Sequence, residues 1–98
     1  MIDERIINFF SGYFHEDWPM EADSDVDIIR VFLGSGVNIV QANQLADQLV
    51  LVAKDHQNEP NDAWLLDRYG CYYSPEVDGL SGSEWVIRLA DLIRKEVA

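Results

Sequence analysis

Asp23-Ser24-Asp25-Val26-Asp27 sets carboxylates at alternate positions, as the opening of a calcium-binding loop does. Such a loop also needs glycine at its sixth place for a sharp turn and glutamate at its twelfth as a bidentate ligand. Those places hold Ile28 and Gly34, so both requirements fail. His15-Glu16-Asp17 groups potential metal ligands, but adjacent residues on a helix diverge by about 100° and do not converge on one ion. A helical zinc site would instead space its ligands at i and i+4. The other histidine, His56, lies far along the chain, and both histidines read as surface or helix-end residues. Cys71 is a candidate nucleophile with either histidine as its base, yet the spacing brings neither beside it. A lone cysteine between Gly70 and Tyr72 reads as a small buried residue. There is no glycine-rich phosphate loop or nucleophile elbow. The expectation is a chain with no catalytic residues, no metal site and no cofactor.

The residues that remain distinctive suit binding. Glu16, Asp17, Glu21, Asp23, Asp25 and Asp27 form a polar stretch without Lys or Arg. Glu76 and Asp78 form a second acidic group, close in sequence to Tyr72 and Tyr73, and Asp55, Glu59 and Asp62 form a third. Tyr13, Trp18, Tyr72 and Tyr73 fall at helix ends or in loops, where exposed aromatics can anchor an interface. The same rings also fit a packing role, with the hydroxyls reaching water or backbone. The candidate partner-binding residues are therefore Glu16, Asp17, Glu21, Asp23, Asp25, Asp27, Tyr72, Tyr73, Glu76 and Asp78. Each carboxylate equally fits a solvated surface.

Eighteen acidic residues against seven Lys and Arg leave a net charge of −11. Nucleic acid and anionic membrane would both be repelled, because binding them needs cations that displace counterions. A basic protein would be drawn in by the same field, although acidity also simply favours solubility. One cysteine excludes an internal disulfide and fits a reducing compartment. The start, Met1 to Arg5, carries acid where a signal peptide needs base, and the longest aliphatic run, Leu49 to Ala53, is too short to span a bilayer. A cytoplasmic location is expected.

Five segments show helical spacing. Ile2, Ile6, Phe9, Phe10 and Tyr13 share a stripe that should end before Pro19. Ser24 with Asp27 resembles a capping box ahead of Ile28, Ile29, Phe32 and Leu33, and Gly34 and Gly36 stop that helix. Asn38 caps a longer, central helix with the face Ala42, Leu45, Ala46, Leu49, Val52 and Ala53. Asn58, Pro60 and Asn61 break the chain before a short helix bearing Trp64, Leu65 and Tyr69, which Gly70 terminates. Turn chemistry follows through Asp78-Gly79, and Ser81 with Glu84 caps a final stripe of Trp85, Leu89, Leu92 and Ile93. Phe9, Phe10, Phe14, Trp64 and Trp85 are expected in the core. The predicted fold is an all-α compact bundle of about five helices, and residues 1–98 form a single domain.

Phe9-Phe10-Ser11-Gly12-Tyr13-Phe14-His15-Glu16-Asp17-Trp18 resembles the opening of a family of immunity proteins from bacterial contact-dependent growth inhibition systems. Tyr69-Gly70-Cys71-Tyr72-Tyr73-Ser74-Pro75, then Gly79-Leu80-Ser81 and Glu84-Trp85, is similar to that family's closing half. The resemblance implies an antidote that binds the C-terminal toxin domain of a large surface protein, commonly a nuclease, and blocks it. It also implies a scaffold role for the shared residues, with Phe10, Tyr13, Phe14 and Trp18 tying the first helix and its exit to the rest, and Gly70 to Pro75 shaping the last turn. Contacts that discriminate one toxin from another should then lie outside the shared motif. The expected partner is a basic cognate toxin domain in a 1:1 complex with a chain that is monomeric when free. Two other classes fit the residues: an acidic adaptor or regulator unrelated to a toxin, and a small metal-dependent enzyme acting through His15 and Glu16.

Overall fold

Periodic apolar stripes become helices in the computed structural model, which describes residues 4–97. The side chain of Glu21 is outside that description, as is Ile2 of the first predicted stripe. In chain order the helices are α1 (Glu4–Tyr13), α2 (Trp18–Glu21), α3 (Asp25–Leu33), α4 (Ile39–His56), α5 (Ala63–Tyr69) and α6 (Gly82–Val97), with a 3-10 turn at Pro75–Asp78 between the last two. There is no strand among the described residues. The five longer helices are those expected from the spacing, and the four-residue α2 is the addition. Pro19 accounts for it. Proline cannot continue α1, but its fixed φ suits the first turn of a new helix, and it sits there in α2.

Local chemistry sets the helix ends. The Ser24 hydroxyl accepts from the Asp27 N–H at 3.3 Å and starts α3. Before α4 the box is complete: Asn38 Oδ1 accepts from Gln41 N–H at 2.8 Å, and Gln41 Oε1 accepts from Asn38 N–H at 3.2 Å. Ser81 and Glu84 make the same reciprocal pair before α6. Gly70 closes α5 in the left-handed region at φ 67°, and the next N–H, of Cys71, reaches back to the Leu65 carbonyl at 3.0 Å.

The central packing is α4 against α6. Ala42, Ala46 and Ala53 of α4 and Ala90 of α6 keep the two backbones close, while Leu49, Leu89 and Ile93 fill the seam with no exposed surface. Helices α3 and α1 pack on this pair, and α5 rests on α1. Phe9, Phe10, Phe14, Trp64 and Trp85 are all buried, as expected of core residues. Leu92, predicted on the α6 stripe, lies at its margin, and Val86 and Ala90 complete the buried face instead. The radius of gyration, 12.4 Å, matches the roughly 13 Å of a folded chain of about 100 residues. No helix among the described residues is long and apolar enough to cross a membrane.

Candidate partner-binding face

Two acidic stretches far apart in sequence meet on one side of the molecule. The chain leaving α1 is paired to the Cys71–Ser81 connection by the Tyr72 N–H, which donates to the Phe14 carbonyl at 2.8 Å. An aromatic stack then holds the two together. Tyr73 lies flat on Trp85 (centroids 4.4 Å apart, planes 4° apart), Trp18 of α2 covers Tyr73 at 5.2 Å, and Phe14 meets the Trp85 ring edge-on at 5.1 Å. The Tyr73 hydroxyl donates to Asp78. Of the residues expected as scaffold, Phe10 and Phe14 are fully buried, and Tyr13 and Trp18 are half-buried.

The candidate carboxylates divide on this frame. Glu16, Asp17, Asp23, Glu76 and Asp78 are exposed, and Asp27 is half-buried in the first turn of α3. Asp25 departs from the expectation of a surface acid. It is 3% exposed and points inward, accepting from the Trp85 indole N–H at 3.1 Å and from Arg88 Nε at 3.0 Å. Burial of a carboxylate demands such partners, so Asp25 serves as an internal brace between α3 and α6. Tyr73 is likewise half-buried and committed to the stack, whereas Tyr72 is 47% exposed. Burial raises the Tyr73 hydroxyl's pKa, and the bond to Asp78 adds to that.

His15 and the calcium-like run both have local structural parts. His15 Nδ1 accepts from the Asp17 N–H at 3.1 Å, so that ring nitrogen is occupied locally. Asp23 to Asp27 is a helix start, and there is no converging group of three or more His, Cys, Asp or Glu among the described residues. Cys71 is buried, and desolvation pushes its thiol up to about 12, which suppresses the nucleophilic thiolate.

His56 ends α4, one of the two places expected for it, and is buried there rather than at the surface. It is buried against Trp64 in a parallel stack at 4.2 Å. Its Nδ1 is bonded to Glu59, and its Nε2 meets the Tyr69 hydroxyl at 3.1 Å. This tether holds Glu59 at one edge of a groove of about 780 Å³ whose other edge is the Cys71–Ser81 connection. Glu59, Asp62 and Glu76 line the groove together with Tyr72, so the second and third acidic groups also come together. Asp62 has a structural duty there, accepting from the Gly82 N–H at 2.7 Å.

Two residues absent from the predicted set complete the face. Met20 and Val77 are 86% and 82% exposed. Their signal was present in sequence, since each lies off any helical stripe and among carboxylates. The face thus sets bare apolar side chains among exposed acids.

A model of the CdiI immunity protein family matches residues 4–93, nearly the whole chain. No curated protein and no solved structure matches the chain significantly.

Proposed function

The chain belongs to the CdiI immunity protein family, and from that premise we propose that it binds and neutralises the C-terminal toxin domain of a contact-dependent growth inhibition effector. One observation carries the choice of surface: Met20, Tyr72 and Val77 stand exposed beside Glu16, Asp17, Glu76 and Asp78. Apolar side chains supply affinity once covered, and the acids steer a basic partner and fix its orientation. A toxin that cleaves nucleic acid must hold phosphate and therefore offers a cationic working face, so the reading extends to a nuclease. Inhibition is stoichiometric, by occlusion, in a 1:1 complex formed in the cytoplasm. The chain acts as a single domain, is monomeric when free and turns over no substrate.

The test is titration of the toxin domain encoded beside this gene. Toxin activity is expected to fall linearly and vanish at equimolar immunity protein. Full activity in a complex confirmed by gel filtration would rule out inhibition, and a toxin that forms no complex would rule out the partnership.

A further inference from the structure

We propose that Met20 is a site of reversible oxidation: a peroxide converts its thioether to the sulfoxide, and the modified chain releases the partner protein faster. The proposal rests on the immunity reading above, because it assigns a control to the face that includes Met20. Met20 is 86% exposed, more than any other large apolar side chain among the described residues. It stands in the single turn of α2, directly after Pro19 and close to the exposed Glu16 and Asp17. Its N–H donates to the Asp17 carbonyl at 3.0 Å, so the main chain is held while the side chain meets solvent.

Access and acidity select this sulfur. The chain's sulfur atoms belong to Met1, Met20 and Cys71, and Met1 lies outside the described residues. Cys71 is 2% exposed, and desolvation pushes its thiol up to about 12, which withholds the thiolate that a peroxide attacks. A thioether has no proton to lose, so access governs its rate. Hydrogen peroxide is uncharged, and the field of a chain at −11 does not hold it off.

In the reaction the sulfur lone pair attacks one peroxide oxygen, and the S–O bond forms as the O–O bond breaks. The other oxygen leaves as water, carrying both protons. Sulfur gives up the electron pair that peroxide gains, and a methionine sulfoxide reductase reverses the change. The product turns a flexible apolar side chain into a polar one. So little of Met20 is packed that the fold is left alone, and the change is felt where a partner covers the residue. The sulfoxide oxygen is then stripped of water, at a cost that the thioether did not carry. Dissociation therefore quickens, while the acids that steer association keep their charge.

Hydrogen peroxide treatment, followed by peptide mass mapping and by binding kinetics with the cognate toxin domain, tests this. Met20 is expected to gain an oxygen atom well before Cys71 reacts, with the thermal midpoint unchanged. Dissociation of the oxidised chain should accelerate roughly fivefold or more, with association within about twofold of the untreated chain. Reductase treatment should restore the original rate. Met20→Leu keeps Met1 and Cys71, so its own dissociation rate should be the same before and after peroxide. Cys71 reacting first, or a Met20 sulfoxide that dissociates at the untreated rate, would overturn the oxidation proposal alone. A Met20→Leu chain that still dissociates faster after peroxide would overturn it too, since another residue would then be responsible. An untreated chain that fails to bind the toxin would overturn the immunity reading and, with it, the control of binding.

Discussion

Asp25 shows what a single carboxylate can do in a chain with many. It accepts from Trp85 and Arg88 in the interior and joins the start of α3 to the middle of α6. Replacing it by alanine strands the indole N–H in a buried setting. Arg88 suffers less, because its side chain is 44% exposed and can turn to water. The expected cost of Asp25→Ala is about 1–3 kcal/mol, below that of breaking a fully buried ion pair. Urea melts check this through a lower midpoint at unchanged slope; wild-type stability would mean that the brace contributes nothing.

At the scale of an element, the Cys71–Ser81 connection does two jobs. Its inner side is committed to packing through Cys71 and Tyr73, and its outer side presents Tyr72, Glu76 and Val77. The buried groups make the segment sensitive to alkali. The Cys71 thiol rises from an ordinary value near 9.0 to about 12, and Tyr73 is raised as well. Below pH 9 the thiol keeps its proton in both folded and unfolded states, so it adds no pH dependence. Between pH 9 and 12 the unfolded chain releases a proton that the folded chain retains, and stability therefore falls as pH rises. Melts from pH 7 to 11 should show this decline, and Cys71→Ala should make it shallower. An identical slope in the variant would contradict the assignment.

For the whole molecule, the net charge of −11 is expected to act over distance, before contact. Association with the toxin domain should slow roughly tenfold between low and physiological salt, as the screening length contracts to about 8 Å. Dissociation should change far less. Stopped-flow mixing over a salt series separates the two rates, and an association rate indifferent to salt would show that the acids serve solubility alone. The family match over residues 4–93 bears on this scale too. It ties nearly the whole helical scaffold to one family.

Much of the architecture was legible from local rules. Stripe spacing marked the five longer helices, and Ser24, Asn38, Ser81 and Gly70 marked their ends, because capping and periodicity involve residues within four positions of one another. Composition supplied the net charge of −11 but could not name a role by itself. The faces were another matter. Spacing gave no reason to separate Asp25 from Asp23, since the burial of one depends on Trp85 and Arg88, some sixty positions away. The same holds for the meeting of Trp18 with Tyr73 and the capture of His56 by Tyr69. Such pairings arise when helices close over a shared core, and no short-range pattern in the chain encodes which side chains that closure turns inward.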